Sequence, residues 1–154
     1  MTRRRYPSHR RAFSLIETVL VISILSVVVA IGLPRYAKSL SRYRVESAAQ
    51  RLVNDLVTLR QRAVDQSTTA TITLESTTHT LQATGVGGLD HSATQYTTDF
   101  TASPFEASLV LGTNPTVLTF NGHGRCDQTL TITVQSGSAT KQVQITAPTG
   151  AISR

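Results

Sequence analysis

Residues Phe13 to Leu33 form an almost unbroken apolar run, and Glu17 is its one charged member beside the polar Ser14, Thr18, Ser23 and Ser26. At about 1.5 Å rise per residue, a helix of about 20 such residues crosses the roughly 30 Å hydrocarbon core of a bilayer. A helix apolar on every side needs an apolar environment on every side, so the run predicts a transmembrane helix. In a chain of 154 residues this leaves room for one domain of ordinary size.

The formal charge of +6 at first suggests a nucleic-acid binder, but its location points elsewhere. Arg3, Arg4, Arg5, Arg10 and Arg11 all precede the apolar run, and no acid accompanies them; without residues 1–12 the net charge is only +1. Basic residues before a membrane segment keep that end in the cytoplasm, so the C-terminal domain is expected on the far side.

A secretory signal peptide would have a shorter apolar core followed by a small-residue cleavage site. Here the apolar run is longer, and the small residue that looks like a junction, Ala12, lies before it. Cleavage there would discard the basic leader and keep the membrane helix. An uncleaved signal-anchor is the alternative.

Beyond Pro34, the stretch to about Gln66 reads as an amphipathic helix. Val45, Ala49, Leu52, Val53, Leu56, Leu59 and Ala63 recur at steps of three and four, with Arg42, Arg44, Arg51, Arg60 and Arg62 mainly off that stripe. Phe13 to about Gln66 is therefore expected as one long helix, its second half (34–66) with a single face to bury. From Ser67 the texture changes to Thr, Val and Ile with alternation. Thr68–Glu75 and Thr78–Thr84 predict a hairpin turning at Ser76-Thr77, and Thr116–Phe120, Thr129–Gln135 and Lys141–Ala147 predict further strands. Gly85–Ser108 has no sustained period and many turn formers, so it is expected as a loop. The fold class is α+β: an antiparallel β-sheet, within a β-rich 67–154, packed on the amphipathic half of the helix.

Arg-Arg-Ala before Phe-Ser-Leu-Ile-Glu and the long apolar run resembles the N-terminus of type IV prepilins and type II secretion pseudopilins. Those share a basic leader, a small residue before the cut, an aromatic or apolar first residue and a glutamate as fifth. Counting from Phe13, Glu17 is fifth; family leaders usually end in glycine, and alanine, as in Ala12, is the commonest small alternative. The stretches LRQRAVDQSTTATITL, LTFNGHGRCDQTLTITV and ITAPTGAISR are similar to the minor pseudopilin H and FimT-like pilin domain.

The resemblance implies that prepilin peptidase cuts between Ala12 and Phe13 and methylates the new Phe13 amine, leaving 13–33 as anchor. It implies a structural subunit of a type II secretion pseudopilus or type IV pilus, held in the bacterial inner membrane with its C-terminal domain periplasmic and later drawn into a filament. Its partners would be other pilins or pseudopilins, the peptidase, the inner-membrane assembly platform and membrane lipid. An acid in a membrane helix costs about 2–3 kcal/mol at the centre and less near the interface, so it persists where it has a partner or a task. For Glu17 the implied task is to pair with the N-terminal amine of a neighbouring subunit. A plain interfacial acid, favoured by the helix dipole by about 0.3–1 kcal/mol, is the alternative.

Other candidates carry less chemistry. Cys126 stands near His123 and Asp127, but neighbours in a glycine-flanked turn rarely converge as a nucleophile with its base, and one cysteine forms no intrachain disulfide. His9, His79, His91 and His123 lack ligand spacing, and the Gly85–Gly88 stretch lacks the lysine of a phosphate loop. No enzymatic activity, cofactor or metal is therefore expected. Asn121–Arg125 is expected as a turn through Gly122 and Gly124. Some FimT-like minor pilins bind DNA through basic residues of their C-terminal region, which here implies Arg125, Lys141 and Arg154. Three scattered cations make a weak electrostatic footprint.

Overall fold

The computed structural model describes residues 14–86, 95–113 and 115–154. Among these residues one helix, α1 (Leu15–Asp65), precedes eight strands: β1 (Ala70–Glu75), β2 (Thr80–Thr84), β3 (Gln95–Asp99), β4 (Ser108–Val110), β5 (Thr116–Phe120), β6 (Leu130–Ser136), β7 (Ala139–Thr146) and β8 (Ala151–Ser153). The chain divides into two compact units, Met1–Ala37 and Lys38–Arg154.

In the first unit α1 exposes its apolar side chains on all sides. Leu15 is 81% exposed, and Leu20, Leu25, Val28, Ile31 and Leu33 are each more than half exposed. Such a surface is costly in water, at about 25 cal/mol per Å² of apolar area, and natural in lipid. The helix meets the other demand of lipid too, because its backbone groups bond within the segment. Among the described residues, one helix is thus long and apolar enough to cross a membrane. Pro34 lies inside α1, where it removes one backbone donor.

In the second unit α1 turns one face inward. Val45, Ala48, Ala49, Leu52, Leu56, Leu59 and Ala63 are buried, and Val53 packs half-buried against them. This is the expected stripe. The helix ends at a Schellman motif, with Thr68 N donating to Ala63 O and Ser67 N to Val64 O, both at 3.0 Å. Ser67 takes the left-handed conformation (φ 52°) where glycine is usual.

Two antiparallel four-stranded sheets share the core with this face, in the orders β3-β2-β1-β5 and β4-β6-β7-β8. The hairpin pairs Ile72 with Ala83 and Leu74 with Leu81, and β5 lies on the other side of β1, with Leu118 opposite Ile72. In the second sheet Ile132 faces Val143 and Leu130 faces Ile145. Ile72, Leu74, Leu118, Phe120, Ile132, Val134, Val143 and Ile145 alternate with polar residues and are fully buried with Leu52, Leu56 and Leu59 in one cluster.

The structure corrects the sequence on two points. The single expected sheet is a pair of sheets, and the expected loop Gly85–Ser108 holds all of β3 and the first residue of β4. Residues 87–94 of that stretch lie outside the described residues. β3 reads Gln-Tyr-Thr-Thr-Asp, and only Thr98 of it is buried, so no apolar alternation announces it. Its pairing with β2, Thr97 opposite Gln82, defines it as a strand.

Two turns meet where glycine is required. Gly150 (φ +65°) sits so close to the Asn121–Arg125 turn that a Cβ would stand 2.4 Å from Gly124 O. The same carbonyl accepts a hydrogen bond from Arg60 Nε of α1 at 2.8 Å. Gly124 itself has φ +74°, as a turn residue there needs, whereas Gly122 does not.

Candidate functional site

Glu17 occupies the first turn of α1 and is exposed. Its neighbours are the exposed apolar side chains Leu15, Ile16, Val19 and Leu20. Three of the four other polar side chains of the run are satisfied within the helix. Ser23 Oγ donates to Val19 O (2.8 Å), Ser26 Oγ to Ile22 O (2.7 Å) and Thr18 Oγ1 to Ser14 O (3.4 Å). These hydroxyls fold back on backbone carbonyls and lose little in lipid. Among the described residues Glu17 alone of the run presents a formal charge, and its side chain forms no ion pair or hydrogen bond with any of them. Its first-turn place also suits the helix dipole. Ala12 and Phe13, the expected cleavage and methylation residues, lie outside the described residues.

The three cations proposed for nucleic acid are not equivalent. Lys141 Nζ and Arg154 Nη1 each lie 2.5 Å from a carboxylate oxygen of Glu46 on α1, so one acid gathers two of them. Arg125 stands apart on its turn, where its backbone N–H donates to Asn121 Oδ1 at 3.0 Å. Asn121 organises that turn by accepting from His123 N as well.

The hydrogen bond from Lys141, with the charges of Arg154 and Lys141, holds the Glu46 carboxyl below the usual carboxylate range. A depressed folded-state pKa stabilises the fold above the unfolded pKa, and that contribution is lost as pH falls through the folded one. For a glutamate the window lies below about pH 4. Thermal melts at pH 7 and pH 3 are expected to differ less for Glu46→Gln than for the parent chain. An equal difference in both would remove Glu46 from the acid response.

Cys126 is buried and its thiol lies 3.4 Å from the carbonyls of Gln128 and Thr146. Asp127 Oδ1 accepts from Thr119 N at 3.1 Å, and His123 is exposed. The three are held in separate turn contacts rather than brought together. Among the described residues no group of three His, Cys, Asp or Glu side chains is placed to hold a metal.

One cluster escaped sequence reasoning. Asp55 is only 4% exposed, although it sits on the buried face of α1. Arg51 Nε lies 3.0 Å from its Oδ1, and Thr98 Oγ1 donates to its Oδ2 at 2.9 Å. Arg51 Nη2 reaches the Tyr96 hydroxyl at 2.7 Å. Burial pushes the Tyr96 phenol up from its ordinary range, against its hydrogen bond with Thr98. The network fastens the edge strand β3 to the helix, compensating a carboxylate that would be expensive to bury unpaired. Its sequence signal was the Arg51–Asp55 spacing of four on a helix, the usual spacing of an ion pair.

Residues 48–150 match the family described as type II transport protein GspH. Residues 7–33 match the prokaryotic N-terminal methylation motif. No curated protein and no solved structure was found to match.

Proposed function

The chain belongs to the type II transport protein GspH family, and we propose from that premise that it is cut after Ala12, methylated on Phe13 and assembled from the inner membrane into a filament. As a prepilin-like minor pseudopilin it is a structural subunit of the type II secretion or type IV pilus class. The observation that carries the proposal is the union of two matches on one chain: the methylation motif over 7–33 and the family domain over 48–150. The apolar face of α1 supports it, since a helix exposed in this way needs lipid or other helices around it.

Each segment then has a task. Residues 1–12 orient the chain with their arginines and are discarded; 13–33 anchor it and later pack against other pilins; 34–66 continue the helix into the β-rich 67–154, which stands in the periplasm. The platform and the peptidase are partners at the membrane. Glu17 meets the amine of a neighbouring subunit and sets axial register, the use of a buried charge that is best attested in helical assemblies.

The secretion reading is preferred to a DNA-binding one. Two of the three candidate cations, Lys141 and Arg154, already share Glu46, which leaves Arg125 as an isolated charge. Counterion release needs several phosphate contacts to give useful affinity.

Intact-mass measurement of the chain purified from membranes of cells that carry a prepilin peptidase tests the proposal. The expected mass is that of residues 13–154 with one added methyl group. Retention of residues 1–12 would overturn it in favour of a signal-anchor.

A further inference from the structure

We propose that Lys38 and Arg42 form a headgroup clasp that binds anionic phospholipid where α1 leaves the membrane. The proposal rests on the reading of 13–33 as membrane-spanning. Most cations of the unit Lys38–Arg154 are engaged within the fold. Arg44 pairs with Glu106, Arg51 with Asp55, and Lys141 and Arg154 with Glu46. Arg60 donates to the carbonyls of Gly124 and Thr149. Lys38 and Arg42 differ: like Arg35 just before them and Arg125 far along the chain, both are exposed, and among the described residues neither side chain makes an ion pair or hydrogen bond.

Their place along the chain supplies the partner. α1 is unbroken from Leu15 to Asp65, so Lys38 follows Leu33 by about 8 Å of helix contour and Arg42 by about 14 Å. The headgroup layer beyond the hydrocarbon is about 5–8 Å deep. Side chains on a helix lean toward its N-terminus, and the long stems of Lys and Arg extend several ångströms further that way. Both cations thus reach back to the phosphates, and a spacing of four puts them on one face. Tyr36, 68% exposed and about 5 Å of helix past Leu33, is of the amphipathic aromatic type that favours the same layer.

Charge complementarity selects the lipid. A zwitterionic headgroup offers no net field, whereas an anionic one attracts each nearby Lys or Arg, strengthening binding about fivefold per cation. Once residues 1–12 are removed, five arginines are gone from the cytoplasmic flank, and the cations flanking the apolar run lie on its exit side. The clasp would then set the depth at which the subunit waits before extraction.

The test uses the full chain with Arg3, Arg4, Arg5, Arg10 and Arg11 replaced by glutamine, so that the leader does not contribute. It is purified in detergent micelles, given equimolar phosphatidylglycerol and phosphatidylcholine, and examined by native mass spectrometry. Phosphatidylglycerol is expected to be retained in preference. Lys38→Gln with Arg42→Gln is expected to lower the ratio of the two lipids by about 25-fold, while Arg125→Gln leaves it unchanged. Equal retention of both lipids by the parent, or an undiminished preference in the double variant, would overturn the clasp. So would loss of self-association in the double variant at unchanged lipid retention, which would assign the two cations to an acidic protein surface. Failure of the membrane reading itself is seen separately, as release of the parent chain from membranes by alkaline carbonate.

Discussion

Glu17→Ala is expected to insert into the membrane at least as well as the parent and to enter filaments about 10- to 100-fold less. Insertion improves because the substitution removes the one charge from the apolar run of α1. Incorporation is expected to fall because, under the proposed pairing, the neighbour's amine would lose its acceptor, and a charge-assisted hydrogen bond is worth about 1.5–3 kcal/mol. Glu17→Gln separates this from a local effect. It keeps the size and hydrogen-bonding capacity of the side chain but not its charge, so it too is expected to fail in assembly. If Glu17 served only the helix dipole, at about 0.3–1 kcal/mol, both variants would assemble almost normally. The measurement is the share of chain in sheared filaments against that in membranes.

Leu56→Ala is the second large effect, and it acts on the folded unit. Leu56 is fully buried where α1 meets both sheets. Truncating such a leucine costs about 2–5 kcal/mol in lost transfer energy and cavity formation. Domains have about 5–15 kcal/mol in total, so the melting temperature is expected to fall by roughly 8–20 °C, on the order of 4 °C per kcal/mol. Val57, the next residue, is 48% exposed. Val57→Ala is expected to change stability by no more than about 0.5 kcal/mol. Equal effects at the two positions, read by circular dichroism of the full chain in detergent, would contradict the assigned helix face.

Most of α1 was legible because two independent patterns overlie it: an apolar run long enough for a bilayer, then a stripe at steps of three and four. Strands β1, β2, β5, β6 and β7 carried apolar alternation and were legible for the same kind of reason. β4 and β8 were not, since each has three residues, too few to display a period. β3 stayed hidden because tertiary contacts hold it. Thr98 reaches Asp55 and Tyr96 reaches Arg51, across 43 and 45 residues of chain. The division into two sheets depends on β5 crossing to pair with β1 rather than with β6, a choice that alternation does not encode.

The same distinction applies to the site. Glu17 stood out because a lone acid in an apolar run has no local explanation. The gathering of Lys141 by Glu46 did not, because 95 residues separate the two. Charges counted along the chain made Arg125, Lys141 and Arg154 look alike, and only the fold separates an engaged cation from a free one.

The most direct test of the central claim is the composition of sheared, sedimented filaments from cells expressing the tagged chain with an intact assembly apparatus. The chain is expected in that fraction as a minor component beginning at Phe13, with Glu17→Ala absent from it although present in membranes. Recovery of the parent chain wholly in membranes, from cells that do assemble filaments, would contradict its role as a filament subunit.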